Sequence, residues 1–324
     1  MIKSKKTLIK QIINFLEYCE VEKGLSPVSV KNYAQFLSKF SCWLEFANFG
    51  ALLPHQLSPD HIWKYRLFLA HQTSPLTHKP LSKATQNYYL IALRVLLAYL
   101  TEKDILSLPV EKIKLSKNNK SRKIKFLTLE QLEKLLSMPN IKTKTGLRDK
   151  AILETLFSTG LRVSELMSLN VNQIKIEKLP KGKDLEVVIT GKGENIRTVY
   201  FSPRCLEWID KYLKARKDDD DDKALFINFS TRSFKSEKRL STRSIERIIK
   251  SYARQAGLPY FITPHTIRHS FATDLLNQGV DLRIIQEFLG HKNIATTQVY
   301  THVTNKKLRQ IHQEFHSGAR LKNE

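Results

Sequence analysis

The chain has 324 residues, of which 41% are apolar, and a formal net charge of +23 at pH 7. This apolar content is enough to build hydrophobic cores and excludes a disordered chain, while no run approaches the roughly 18 apolar residues that a membrane-spanning helix needs. A charge excess of this size indicates a polyanionic partner. Because no strongly basic amphipathic helix with an exposed apolar face stands out, nucleic acid is favoured over a membrane surface.

The length suggests about two domains, on a prior of roughly 100–200 residues each. The first residues are amphipathic and do not form a signal peptide. Three cysteines, Cys19, Cys42 and Cys205, are widely spaced and lie in apolar helical patterns. Their odd number and spacing favour a reducing compartment, so we expect a cytoplasmic protein in which all three serve packing.

Residues 1–108 are predicted to form a small all-helical domain of four helices. Ser26, Ser58 and Ser82 are typical N-caps, and a proline directly follows the first two. Apolar positions recur with helical spacing, and no segment alternates like a strand. The fourth helix carries an apolar stripe of Tyr88, Ile91, Val95 and Tyr99.

Residues 109–125 are predicted to be a basic linker. The stretch KIKLSKNNKSRKIK holds seven Lys or Arg and no acidic residue. It is either a solvated tether or a cationic segment that lies along a phosphate backbone, and the two interpretations are compatible. The candidate DNA contacts in it are Lys117, Lys120, Arg122 and Lys123.

Residues 126–324 are predicted to form a mixed α+β domain. Thr128 and Gln131 fit a capping box, and the next helix stops at Gly160. Two strands on either side of the turn GKGEN predict a small antiparallel hairpin. The strands of this hairpin are Asp184–Thr190 and Arg197–Phe201. The other predicted elements are helices Pro203–Ala215, Thr242–Ala256, Pro264–Asn277 and Leu282–Leu289, a short helix with Tyr300, and a tail helix with Leu308, Ile311 and Phe315.

Six residues of this domain combine positive charge, proton-transfer capacity or a hydroxyl with a position near a turn or helix end. They are Arg162, Lys192, His265, Arg268, His291 and Tyr300. Each alone has an ordinary structural explanation, such as an ion pair between Arg162 and Glu165. His265 and His269 have the spacing of a zinc-binding helix, but the arginine between them would repel a cation, so no metal site is expected.

As a set, these residue types suit phosphodiester chemistry. Two arginines can bind one phosphate and stabilise the negative charge that develops on its oxygens. A lysine can protonate a departing alkoxide, a histidine can deprotonate a nucleophile, and a tyrosine hydroxyl can serve as that nucleophile without a metal. Spacing along the chain cannot show that these groups converge.

The segments GLRVSEL, TGKG with a following Arg197, HTIRHSFAT, FLGHKN and TTQVYTHV, in this order, resemble the tyrosine recombinase family. The resemblance covers the whole chain. It implies a SAM-like four-helix core-binding domain and a catalytic domain that together form a C-shaped clamp around DNA. The residues of these motifs are most similar to those of the Xer recombinases, which resolve chromosome dimers. A mobile-element integrase or transposase and a non-catalytic DNA-binding protein remain as alternatives.

The resemblance also implies roles for the six residues. Tyr300 would attack the scissile phosphate to give a 3′-phosphotyrosyl link, while Arg162 and Arg268 would clamp the phosphate oxygens. His291 would donate a further hydrogen bond, and Lys192 would protonate the leaving 5′-oxygen.

Of the remaining residues, His265 would assist proton transfer at the tyrosine, Glu165 would buttress the first arginine, and His269 would be structural. Because the energy of the broken bond stays in the phosphotyrosine, the resemblance implies neither a cofactor nor a metal. The N-terminal helices, together with Arg243 and Arg247, would contact the DNA bases and so recognise the target sequence.

The implied assembly is a homotetramer on two double-stranded DNA sites that works through a Holliday junction. Each site would be a dif-like or other inverted repeat. The C-terminal tail helix would dock on a neighbouring subunit, although it could also pack on its own domain. A Xer enzyme could further need an FtsK-type DNA translocase.

Overall fold

The computed structural model describes residues 1–74, 78–116, 126–176, 180, 182–191, 196–216, 223–229, 238–290, 313–314 and 316. The chain divides into two compact units, Met1–Arg122 and Lys123–Glu324. Across the described residues, no helix is both long and apolar enough to cross a membrane.

The described part of the first unit contains four α-helices, as predicted. They are α1 (Leu8–Val21), α2 (Pro27–Phe46), α3 (Pro59–His71) and α4 (Lys83–Glu102). The serines predicted to cap α2, α3 and α4 do so, because each side chain accepts a hydrogen bond from the backbone amide three residues later. Short 3₁₀ turns at Pro54–Gln56 and Val110–Lys112 complete the described elements of this unit.

The buried face of α4 differs from the predicted stripe. Tyr99 is buried, but Tyr88 is 54% and Ile91 is 39% exposed. The core instead takes the leucines of the helix, because α4 is apolar around much of its circumference and periodicity alone does not select a face. The buried leucines are Leu90, Leu93, Leu96, Leu97 and Leu100.

The packing role predicted for the cysteines holds for two of the three. Cys19 and Cys205 are buried, whereas Cys42 is exposed on α2. The prediction was wrong for Cys42 because its apolar neighbours Trp43 and Leu44 occupy the buried face of the helix.

The second unit combines helices with one two-stranded sheet. Its helices are α5 (Leu129–Leu136), α6 (Lys144–Thr159), α7 (Val163–Ser168), α8 (Pro203–Arg216), α9 (Thr242–Gln255), α10 (Pro264–Asn277) and α11 (Leu282–Leu289), with a 3₁₀ turn at Val171–Gln173. Strands β1 (Leu185–Thr190) and β2 (Ile196–Phe201) pair antiparallel, with Leu185 opposite Phe201 and Thr190 opposite Ile196. The predicted fold class, mainly α with a small antiparallel sheet, is confirmed.

Helix α6 lies at the centre of this unit. Every residue from Arg148 to Thr159 is buried, and the helix packs against α8, α10 and β2. Its buried charged side chains are paired inside the core: Arg148 with Asp149, and Glu154 with both Lys150 and Arg204. Such pairing is required because an isolated buried charge is strongly destabilising. The helix is therefore a fixed support for the loop that follows it.

Several predicted features lie outside the described residues. They are the turn that carries Lys192, the linker residues from 117 to 125, the segment with His291 and Tyr300, and the tail positions Leu308, Ile311 and Phe315. Near the end of the chain, His316 is described and buried. Its Nε2 lies 3.0 Å from the Phe157 carbonyl oxygen, and its ring contacts the rings of Phe157 and Phe271.

Candidate active site

The first part of the site is the loop between α6 and α7. Gly160 ends α6 in the left-handed conformation, with φ +60°. A Cβ at this position would lie 2.6 Å from the Phe271 ring, so both the backbone and the close approach require glycine. Two residues later, Arg162 is the N-cap of α7, and its backbone amide donates to Glu165 Oε2 at 2.8 Å.

Arg268 reaches the same loop from α10. Thr263 caps this helix and Pro264 occupies its first turn, as the sequence predicted. The Arg268 side chain is only 3% exposed. Its Nη1 donates to the Gly160 carbonyl at 2.6 Å, and its Nη2 donates to the Leu289 carbonyl at 2.5 Å. The arginine thus joins α10 to the ends of α6 and α11.

Glu165 is the carboxylate at the centre of the site. Its Oε1 accepts from Arg162 Nη1 at 2.9 Å and from Arg197 Nη1 at 2.8 Å. Its Oε2 accepts from the Arg162 amide at 2.8 Å and from Arg197 Nη2 at 2.7 Å. Arg268 Nη1 lies 4.0 Å from the same Oε2. Three arginines from α7, β2 and α10 therefore surround one buried carboxylate.

Arg197 is the member of this cluster to which the sequence assigned no role. It follows the hairpin turn on β2, and its side chain is 8% exposed. Besides Glu165, it donates from Nε to the Phe288 carbonyl at 3.0 Å. The only signal in the sequence for Arg197 was its position after the TGKG motif. Its ion pair with Glu165 could not be predicted, because nothing in a strand sequence reveals a carboxylate partner 32 positions earlier.

Three consecutive carbonyls at the C-terminal end of α11, the last of them on the cap residue Gly290, each accept from a different arginine. Phe288 accepts from Arg197, Leu289 from Arg268, and Gly290 from Arg162 Nη2 at 3.1 Å. Carbonyls at a helix C-terminus lack intrahelical partners and carry partial negative charge, so cations are favoured there. Gly290 ends the helix with φ +62°, and a Cβ on it would lie 2.9 Å from Arg197 Cδ. The residue that follows, His291, lies outside the described residues.

The charges in the cluster shift the pKa values of its members. Burial alone would raise the pKa of Glu165, but hydrogen bonds from Arg197 and the Arg162 amide, with the charge of Arg197, lower it to about 2. Burial, together with the charges of Arg162 and Arg197, lowers the pKa of Arg268 to about 9. At neutral pH the three arginines and one glutamate are charged, which leaves a net +2 (three minus one).

His265 lies one turn before Arg268 on α10. Burial lowers the pKa of His265, and so do the positive charges of Arg268 and Arg162. The His269 ring lies edge-on to it, with the ring centroids 4.3 Å apart. A depressed pKa keeps the imidazole neutral near pH 7, the form that accepts a proton.

A cationic stripe follows one face of α9. The predicted residues Arg243 and Arg247 are joined by Lys250 and Arg254, and together with Glu246 they line a shallow surface cavity. Lys250 and Arg254 were not among the predicted DNA contacts, although their spacing of three and four along the helix predicts a shared face with the other two.

A family model described as the phage integrase family matches residues 125–307. A second, described as the phage integrase N-terminal SAM-like domain, matches residues 12–104. The chain belongs to the phage integrase family, the tyrosine recombinases. The family that the motifs indicated is therefore confirmed.

Curated relatives of this tyrosine recombinase include the tyrosine recombinase XerD of Lacticaseibacillus casei, 33% identical with 94% of this chain and 98% of the relative covered. The tyrosine recombinase XerC of Thermodesulfovibrio yellowstonii is 35% identical, with 94% and 95% covered. These relatives identify the chain as an enzyme, a site-specific DNA recombinase of the Xer type.

Among solved structures, the XerH site-specific recombinase bound to a palindromic difH substrate, in a post-cleavage complex, matches with a TM-score of 0.63. It is 22% identical, with 91% of this chain and 82% of that chain covered. At this identity the match shows a shared fold alone.

Among the predicted site residues of the recombinase, the described part of the chain brings together Arg162, Glu165 and Arg268, and His265 lies one helical turn before Arg268 on α10. Arg243 and Arg247 lie on α9, outside the Glu165 cluster. The described residues do not include Lys192, His291, Tyr300 or the linker residues Lys117, Lys120, Arg122 and Lys123.

Proposed function

We propose that this recombinase cuts DNA by attack of Tyr300 on the scissile phosphate, with a 3′-phosphotyrosyl intermediate and a free 5′-hydroxyl. The observation that supports it best is the convergence of Arg162 and Arg268 on Glu165 beside the end of α11. A fixed cationic cluster of this kind stabilises the charge that a phosphodiester gains in a pentacoordinate transition state. Tyr300 follows α11 by only a short segment of chain.

The remaining steps are proton transfers. We assign His265 to assist proton transfer at the tyrosine, because its depressed pKa keeps it neutral near pH 7. Lys192 would protonate the leaving 5′-oxygen, and His291 would donate a hydrogen bond to a phosphate oxygen. None of these steps requires a metal or another cofactor: the arginines stabilise the charge that develops on the phosphate, and the phosphotyrosine retains the energy of the broken bond.

The DNA contacts follow from the distribution of charge. Residues 1–108 would bind the core site, residues 109–125 would act as a basic linker, and residues 126–324 would carry the chemistry, so that both units hold one duplex. Lys117, Lys120, Arg122 and Lys123 would contact phosphates, as would the α9 stripe, in which Arg243 and Arg247 are candidates for reading bases.

The biological role we infer is chromosome dimer resolution in the cytoplasm. Relatives named XerC and XerD support it at 33–35% identity over nearly the full chain. The target would be a dif-like inverted repeat, bound by a homotetramer that recombines through a Holliday junction. The C-terminal tail would link the subunits, and an FtsK-type translocase would be an accessory partner.

A nicked substrate tests the chemistry. In such a duplex, the fragment released on cleavage diffuses away, so the covalent complex accumulates. Wild-type protein is expected to form a DNA adduct that survives SDS, whereas Tyr300→Phe binds the same duplex without an adduct. Tight binding by the wild type with no adduct would instead indicate a non-catalytic DNA-binding protein. Footprinting on flanking genomic DNA identifies the duplex to use.

A further inference from the structure

Arg197 directs three of its N–H groups at two partners. Nη1 and Nη2 form a two-point ion pair with Glu165, at 2.8 and 2.7 Å, and Nε binds the Phe288 carbonyl. This planar geometry is specific to arginine, because a lysine amine is a single point charge. The guanidinium is therefore held between the central carboxylate and the end of α11.

We propose that Arg197 is a positioning residue for the cleavage reaction: together with Arg162 it saturates Glu165, and it so prevents Arg268 from closing onto that carboxylate and away from the DNA phosphate. This inference rests on the proposed function of the two arginines. In this role Arg197 acts through Glu165 and not through contact with the substrate.

The geometry of the carboxylate supports this role. An ionised carboxylate offers about four acceptor positions. The described bonds to Glu165 number four, two from Arg162 and two from Arg197. Arg268 Nη1 stays at 4.0 Å, beyond hydrogen-bonding distance. Without Arg197, two acceptor positions would open within reach of Arg268, and Coulomb attraction would draw that guanidinium onto the carboxylate.

The charge balance points the same way. With Arg197 in place, three arginines and one glutamate leave a net +2. Without it, the carboxylate opposes only Arg162 and Arg268, and the cluster retains +1 (two minus one). A phosphodiester carries one negative charge in the ground state and more in a pentacoordinate transition state, so the lost charge affects the transition state most.

A purely structural role predicts something different. Gly290 lies against the Arg197 side chain, so loss of the arginine could simply loosen the end of α11. Removal of the Glu165 charge separates the two explanations. If Arg197 acts by neutralising Glu165, a neutral residue at position 165 compensates for its loss, whereas damaged packing is not repaired.

The test is a double-mutant cycle of Arg197→Met, Glu165→Gln and the combined variant. Single-turnover formation of the covalent complex on the nicked duplex is measured at saturating protein. We expect Arg197→Met to cleave about 100-fold more slowly than wild type, and the double variant to recover about 10-fold of that loss. A double variant that cleaves no faster than Arg197→Met overturns the proposal. If Arg197→Met does not fold, Arg197→Gln takes its place in the cycle.

Arg239 supplies the matched control. It is a partly buried arginine of the same unit that donates to the carbonyls of Met167 and Leu169 and to the Asn170 side chain. Arg239→Met is expected to lower the melting temperature, but adding Glu165→Gln should not speed its cleavage. Equal rescue in both backgrounds would contradict a specific role for Arg197.

A crystal structure of Arg197→Met gives a readout that needs no DNA. The distance from Arg268 Nη1 to the nearer Glu165 oxygen is expected to shorten to about 2.9 Å, the usual hydrogen-bond length. If it remains near 4.0 Å, the proposal is wrong even if the protein is active. An absence of any adduct in wild type would instead contradict the proposed function and leave this distance as the deciding measurement.

Discussion

Phe271 occupies the position where a side chain on Gly160 would lie, with its ring 2.6 Å from the expected Cβ. One turn earlier on the same helix, Arg268 donates to the Gly160 carbonyl. The left-handed glycine that ends α6 thus lets α10 approach closely enough for its arginine to bind the loop. The close packing at Gly160 therefore also fixes the position of Arg268, one of the two arginines of the proposed phosphate clamp.

Gly160→Ala is therefore expected to reduce both stability and cleavage. The matched control is Gly257→Ala, since Gly257 also has a positive φ, of +65°, but has open space around its expected Cβ. The control should lose about 1 kcal/mol of unfolding free energy from backbone strain alone, and Gly160→Ala about 2 kcal/mol more from overpacking. Urea unfolding measures the difference. Equal losses would show that the contact with Phe271 carries no cost.

Glu165 is expected to make stability depend on pH in the acidic range. Its pKa is about 2 in the folded protein against an ordinary value of 4.5. A lowered carboxyl pKa stabilises the fold fully above about pH 5, and this contribution is lost as the pH falls towards 2. Below pH 4.5 the loss is about 1.4 kcal/mol per pH unit.

Unfolding free energies of wild type and Glu165→Gln, measured between pH 6 and pH 3, test this expectation. Wild type should be more stable at pH 6, and the gap between the two proteins should narrow as the pH falls below 4.5. A gap that stays constant over this range would mean that the carboxyl titrates normally in the folded protein.

The acidic limb of the pH–rate profile is expected to come from His265. Burial and the charges of Arg268 and Arg162 lower its pKa, so the neutral, proton-accepting form persists below the ordinary value of 6.5. Single-turnover cleavage should therefore fall with a midpoint below pH 6.5. His265→Gln should remove this limb and slow cleavage by about 100-fold at neutral pH.

His269→Gln is the matched control on the same helix, because its ring contacts His265 but has no assigned catalytic role. This variant should retain an acidic limb. Loss of the limb in His269→Gln, with its retention in His265→Gln, would reverse the assignment of the two histidines.

The α9 stripe predicts a measurable salt dependence of DNA binding. If Arg247 neutralises one phosphate, Arg247→Ala should reduce the slope of log K against log salt concentration by about 0.9. Lys214→Ala is the control, since Lys214 lies on α8 and pairs with Asp210. Fluorescence anisotropy over a salt series gives both slopes. An unchanged slope for Arg247→Ala would remove α9 from the DNA contacts.

Local signals made much of the fold predictable. Ser26, Ser58, Ser82 and Thr263 each cap the helix that the sequence indicated, because caps and first-turn prolines act within a few residues. The exposed side of α4 was not predictable in this way, since apolar residues surround most of that helix. Only the packing of neighbouring helices decides that Tyr88 faces outward.

The arrangement of the site depends on long-range contacts. The sequence motifs identified Arg162 and Arg268, but not that their guanidinium groups bind consecutive carbonyls at the end of α11, those of Gly290 and Leu289. Arg162 lies 128 positions from its carbonyl partner and Arg197 lies 91 from its own. No local pattern encodes such pairs, which form only when α7, β2, α10 and α11 pack together.

Tyr300 is expected to become covalently linked to DNA at a phosphate held by this cluster. The most direct measurement is mass spectrometry of the tryptic peptide 293–306, which contains Tyr300, after the nicked-substrate reaction. A nucleotide linked through its 3′-phosphate to Tyr300 is expected in the wild type and should be absent from Tyr300→Phe. An adduct on any other residue, or one that persists in Tyr300→Phe, would contradict it.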